Sequence, residues 1–174
     1  LTISAGQESG DGLTDSFELA GGDSEGDARI RVLVNDNVVY QGAADQISAI
    51  RVQGSADADH LTVNVDAEVA PPVVFDGGGQ AGDEVDVLQL QSANESHAQL
   101  VTHTIENAGG RAEIEMGGPH PVVVQYTGVE QITDTISADD REFRFPGETW
   151  NLVLSDGPLA GDDRVAISGQ FGQL

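Results

Sequence analysis

The chain contains no cysteine, so disulfides, thiolate metal sites and cysteine nucleophiles are excluded together. It also lacks lysine: all seven bases are arginines, and they face thirty acids for a formal net charge of -23. Such a surface repels nucleic-acid phosphates and anionic lipid, which excludes nucleic acid as a partner. No stretch approaches the run of roughly 18 apolar residues that a membrane helix needs, so no membrane insertion is expected. Aromatic residues make up only 5% of the chain, which leaves Val, Ile and Leu to build the core. Amphipathic helical periodicity is absent too.

What is present is alternation. Arg29-Ile30-Arg31-Val32-Leu33-Val34 places Ile30, Val32 and Val34 on one face, as a strand requires. The same period of two recurs at Ile50 and Val52, at Leu61, Val63 and Val65, from Val73 to Phe75 and from Val85 to Leu90. It continues at Ala112, Ile114 and Met116, at Val122, Val124 and Tyr126, at Phe143 and Phe145, at Trp150 to Leu154, and at Val165 and Ile167. Leu100 to Ile105 and Val129 to Ile136 carry the weakest strand pattern. Between these runs lie turn clusters such as Asn35-Asp36-Asn37 and Asp76 to Gly79, where Gly tolerates positive φ and Asx side chains cap their own backbone. An all-β fold follows. Composition shows no internal linker, so residues 1–174 read as a single module. The chain starts at Leu1 rather than Met, which reads as a processed product or a piece of something longer.

A faint repeat runs through the turns. Gly54-Ser55-Ala56-Asp57-Ala58-Asp59-His60-Leu61-Thr62-Val63 resembles Gly79-Gln80-Ala81-Gly82-Asp83-Glu84-Val85-Asp86-Val87-Leu88, with Gly157 to Ile167 a third relative. Each passes from Gly through an acidic turn into an apolar strand, and 27 positions separate Asp59 from Asp86, a period at home in stacked repeats. A right-handed parallel β-helix or β-solenoid is the preferred architecture, with a β-sandwich as runner-up. Ile50 to Val63, Phe75-Asp76-Gly77-Gly78-Gly79 and Tyr126-Thr127-Gly128-Val129-Glu130 resemble Gly/Asp-rich degenerate-repeat segments, related to the RTX type, of very long acidic secreted bacterial surface proteins. The resemblance implies an elongated module of an adhesive, surface-layer or filament-forming protein outside the cell. The tandem calcium repeat G-G-x-G-x-D-x-U-x is not reproduced: Gly78-Gly79-Gln80-Ala81-Gly82-Asp83 carries an extra residue and no second copy follows.

Candidate sites follow from these patterns. Asp76, Asp83 and Asp86 lie in or after a Gly-rich turn able to wrap a hard cation, and Asp57 and Asp59 join them if the repeat stacks. Calcium, which takes six to eight oxygens, is the cofactor they would suit. The competing reading is solvated turn carboxylates. His60, His97, His103 and His120 show no paired ligand spacing and read as polar surface or loop residues. No G-x-S-x-G elbow occurs, and with so many acids any carboxylate pair is a chance pair, so no enzyme is expected. Tyr40, Tyr126, Phe143, Phe145 and Trp150 could face a glycan, but the stronger reading puts Phe143 and Phe145, which alternate with Arg144, in the core or in stacking between turns, with Trp150 closing a core end. Both termini are apolar: Leu1, Thr2, Ile3 and Ser4 at one, Phe171 and Leu174 at the other. They suit assembly with copies of the chain or with flanking segments. The expectation is a structural building block of an extracellular fibre, surface layer or adhesin; a glycan-binding or calcium-responsive adhesive module is the alternative.

Overall fold

The computed structural model describes residues 1–4, 14–21, 29–65, 71–79, 85–92, 97–106, 108–118 and 120–146, and the backbone alone of 150–156 and 165–171. In chain order the strands are β1 (Thr2–Ser4), β2 (Asp15–Gly21), β3 (Arg29–Val34), β4 (Asn37–Ala43), β5 (Ile50–Gln53), β6 (Asp59–Asn64), β7 (Val73–Asp76) and β8 (Val87–Gln91). They continue with β9 (His97–Glu106), β10 (Gly109–Glu115), β11 (Val122–Thr127), β12 (Gln131–Asp134), β13 (Ser137–Arg144), β14 (Trp150–Asp156) and β15 (Val165–Phe171). Among the described residues the only helical element is a single 3-10 turn, Ala44–Gln46. The fold is all-β, as the alternation requires.

Two mixed sheets carry the structure. The first orders its strands β1-β5-β7-β11-β10-β9-β13 and the second β12-β8-β6-β2-β3-β4, while β14 and β15 pair only with each other. In the first, β1, β5, β7 and β11 run parallel; in the second, β2, β6, β8 and β12 do. Antiparallel strands extend each sheet, β3 and β4 beyond β2 and β10 and β9 beyond β11. A purely parallel stack is therefore not what the chain builds, and one reason is local. Asn35 and Asp36 both adopt positive φ, 48° and 63°, the geometry of a two-residue turn whose twist matches a hairpin. Neither sheet closes on itself, and together they form a sandwich-like arrangement around one core.

That core is built in columns across the strands. In the first sheet Ile50, Val73 and Val124 share one register position, and Val52, Phe75 and Tyr126 the next inward one. In the second sheet Phe17, Leu61 and Leu88 form one column and Leu19, Val63 and Leu90 another. All these side chains are buried and join a single hydrophobic cluster, each stabilising the fold by about 1.5–3 kcal/mol relative to exposure. The weak pattern at Leu100 to Ile105 proves to be part of the longest strand, ten residues of β9. Three strands escaped the pattern, the three-residue β1 among them. Strand β2 offers only Phe17 and Leu19 among polar neighbours, and the β3–β4 register slips at Val32/Leu33, which breaks the alternation that would betray β4.

Candidate functional site

One polar network lies where the chain turns from the first sheet into the second. Strands β5, β7 and β11 end in register at Gln53, Asp76 and Thr127, and each is followed by glycine. The ladder runs one step into these glycines: Gly54 N–H donates to the Asp76 carbonyl at 2.7 Å and Gly77 N–H to the Thr127 carbonyl at 2.9 Å. A Cβ on Gly54 would collide with the Asp59 carboxylate and the Gly77 carbonyl; one on Gly77 would collide with the Asp86 carboxylate and the Gly128 carbonyl. Glycine is needed here because acids occupy the space a side chain would take.

Those acids stack. Asp15 pairs with Asp59 across β2 and β6, and the His60–Val87 pairing brings Asp86 alongside Asp59. Asp59 N–H donates to Asp86 Oδ1 at 2.8 Å, and Asp86 N–H donates to Glu130 Oε2 at 2.9 Å. Each carboxylate thus accepts the backbone N–H of the strand before it, at a point where the regular ladder has not yet begun. Asp59 Oδ2 also accepts from the Ser55 N–H at 2.6 Å. Asp59 and Asp86 are fully buried. Burial pushes the Asp59 carboxyl up to about 6; the Ser55 N–H opposes the rise, and the charges of Asp86 and Asp15 add to it. Asp59 Oδ1 has no hydrogen-bond partner among the described residues.

Four of the five acids expected to hold calcium lie among the described residues. Asp59 and Asp86 meet; Asp57 is buried nearby in the chain, its N–H donating to Ser55 Oγ at 3.1 Å. Asp76 is exposed at the end of β7 and accepts from Gly78 N–H at 3.2 Å and from the Thr127 hydroxyl at 3.3 Å. Asp83 lies outside the described residues. Among the described residues no three His, Asp or Glu side chains converge as metal ligands. The glycine stacked on Gly54 is Gly77 rather than Gly79, because the Val52–Phe75 pairing sets the register. The third relative of the repeat runs into β15, which pairs antiparallel with β14 and with neither large sheet.

A second polar cluster was not foreseen. His103 was expected at the surface; it is 2% exposed. Its column in the first sheet runs Val124, Ala112, His103, Phe143, while the column Leu19, Val63, Leu90 in the second sheet ends on Asp134. His103 Nε2 meets Asp134 Oδ2 at 3.1 Å, and Arg141 Nε donates to that oxygen at 3.0 Å. Arg141 also donates to the Ile136 carbonyl, and Ile136 N–H to Asp134 Oδ1 at 2.9 Å. Burial by itself would raise the Asp134 carboxyl, but the hydrogen bonds from His103, Arg141 and Ile136 overcome it and hold the group at about 2. Phe143, expected in the core, is 40% exposed and stacks on the His103 ring at 5.1 Å and 10°. A polar residue at a core register position in two strands is the signal that sequence reading missed.

The terminal residues expected at an assembly surface are placed as follows. Leu1 precedes β1, and Thr2, Ile3 and Ser4 form it, at the outer edge of the first sheet, paired only with β5. Ile3 packs against the core and Leu1 is 39% exposed. Phe171 ends β15 opposite Trp150; Leu174 lies outside the described residues. Of the aromatic residues proposed as a glycan platform, Tyr126 is buried in the first sheet and Tyr40 half-buried in the second, while Trp150 lies on β14, outside both. The chain matches no protein-family model, no curated protein and no solved structure.

Proposed function

We propose that the chain is a structural building block of an extracellular assembly, a right-handed β-solenoid-type module that associates end to end and carries no catalysis. One observation supports this reading above the others. The chain alternates between sheets so that β1, β5, β7 and β11 succeed one another in parallel in one, while β2, β6, β8 and β12 do so in the other, in the same order. That succession supports a coil with two strands to each turn, in which every turn would bury its apolar side chains against the next. A sandwich of Greek-key connections pairs its neighbours antiparallel instead. The acidic surface fits a secreted fibre, surface-layer or adhesin segment, which must stay soluble until it meets its partner.

Negative-stain imaging with sedimentation of the purified chain tests the reading. Stacks that lengthen with concentration are expected; a strict monomer at every concentration would overturn it.

A calcium-responsive version of the same module is favoured by the buried, unpartnered Asp59 Oδ1 beside the like-charged Asp86. A cation shared by the two carboxylates would stabilise the folded state alone, by about 2.7 kcal/mol at a hundredfold excess over its dissociation constant. Chelation should then lower Tm, and Asp59→Asn should remove that response. An unchanged melting curve in chelator leaves the two acids as acceptors for backbone N–H groups and nothing more.

A further inference from the structure

We infer that the outer face of the second sheet carries a binding site for a small organic cation of the guanidinium class. Phe17, Leu19, Leu61 and Val63 turn to the core, so the residues alternating with them on β2 and β6 turn to the opposite face. There Ser16 pairs with His60, and Glu18 with Thr62. Beside β2 the Asn35-Asp36 turn joins β3 to β4, and side chains fix it in place. Asn35 Oδ1 accepts from the Ser16 N–H at 2.9 Å, Asn35 Nδ2 donates to Asp15 Oδ1 at 2.9 Å, and Asn37 Nδ2 donates to the Asn35 carbonyl at 2.8 Å. Ser16, Glu18, Leu33, Asp36, His60 and Thr62 line a cavity of about 200 Å³. Pockets for drug-sized ligands begin at about 300 Å³, so this one admits a single head group or a small free molecule.

The lining points to the chemistry of the ligand. Neither Glu18 nor Asp36 has a hydrogen-bond or ion-pair partner among the described residues, and His60 Nε2, closed off from water, has no hydrogen-bond partner there either. Two carboxylates, two hydroxyls and a ring nitrogen that accepts in the Nδ1–H tautomer suit a ligand made of donors. The carboxylates add a demand for positive charge. A metal ion needs such groups drawn around one point, whereas no three His, Asp or Glu side chains converge as ligands among the described residues. Acceptors spread around a cavity suit a planar guanidinium instead, whose five N–H donors fan out in a fixed fork. A sugar is the poorer fit for want of a ring to stack on, since Phe17 faces the core and is 1% exposed.

Titration of the purified chain with agmatine, a guanidinium and an ammonium on one short stem, tests the site when amide chemical shifts are followed at physiological salt. Shifts that saturate and centre on Ser16, Glu18, Asp36, His60 and Thr62 are expected. Affinity should fall about tenfold or more in Glu18→Gln and in Asp36→Asn, each of which removes a charged acceptor. Neither substitution disturbs the core, and Asn tolerates the positive φ of 63° that Asp36 adopts. Urea, which has planar N–H donors and no charge, should leave the shifts unmoved at equal concentration. A Gly-Arg-Gly peptide separates the two sources of the group: if it binds as agmatine does, the site takes an arginine side chain of a partner, and if it is excluded, the site takes a free small cation. Shifts spread over the whole acidic surface, an equal response to urea, an affinity unchanged in both variants, or no response to agmatine would each overturn the site.

Discussion

At Asp59 the fold places a carboxyl where water cannot reach it, and pH should expose the consequence. Its folded value of about 6 lies above the ordinary 3.8, so the folded state binds this proton more tightly than the unfolded chain does. Stability is therefore reduced above pH 6 and recovered as pH falls from about 6 towards 3.8. Asp134 has the opposite sign: held at about 2 against 3.8, its contribution is complete above pH 3.8 and is lost as pH falls towards 2. Melting temperature should accordingly peak at about pH 4 and decline from there towards about pH 6, and Asp59→Asn should flatten that decline. A melting temperature that rises steadily from pH 5 to 8 would contradict this assignment. The glycines beside these acids give a second residue-scale test. Gly77→Ala should cost about 1–3 kcal/mol, because the new methyl meets backbone and carboxylate that have little room to move. Gly79→Ala, with nothing within 4 Å of its Cβ position, should cost far less in the same denaturant titration.

Among the elements, β13 depends most on polar contacts. Its burial pattern is exposed at nearly every position, yet it pairs with β9 over most of its length and is tied to the second sheet through Arg141, Asp134 and His103. Asp134→Ala should cost about 3 kcal/mol, since it leaves a buried imidazole and a half-buried guanidinium without their anion. Replacing both buried partners, as His103→Leu with Asp134→Leu, should recover part of that loss because two apolar groups can fill the same space. Urea midpoints of the single and double variants decide it; equal losses in both would mean that the polar pairing contributes little. The connection from β12 to β13 is short, so a broken Asp134 cluster should free β13 before the rest of the sheet.

For the whole molecule, charge and contact oppose one another. Copies carrying -23 each repel at long range, while strand edges act only at close approach. The Debye length falls from about 30 Å at 0.01 M salt to about 8 Å at 0.15 M and about 3 Å at 1 M. Association should thus be weakest in the lowest salt and rise as the overall repulsion is screened. Light scattering across that range checks the profile, and association strongest at the lowest salt would rule out the proposed balance.

The sequence by itself determined the all-β class, because a period of two at Leu61, Val63 and Val65 or at Val122, Val124 and Tyr126 cannot bury a helix face. It also determined the neighbourhood of Asp59 and Asp86, whose Gly-to-acid-to-strand pattern survives differing turn lengths. Tertiary structure decided the rest. Which glycine stacks on Gly54 depends on how Val52 meets Phe75, a pairing between strands about twenty residues apart that no local window contains. The burial of His103 depends on Asp134, 31 residues away, since an imidazole enters a core only where a partner from the opposite sheet satisfies it. The mixed strand directions depend on hairpins such as β3–β4, whose bulge erases the alternation. Periodicity reports the face a residue turns to the core; only the assembled sheets decide what waits for it there.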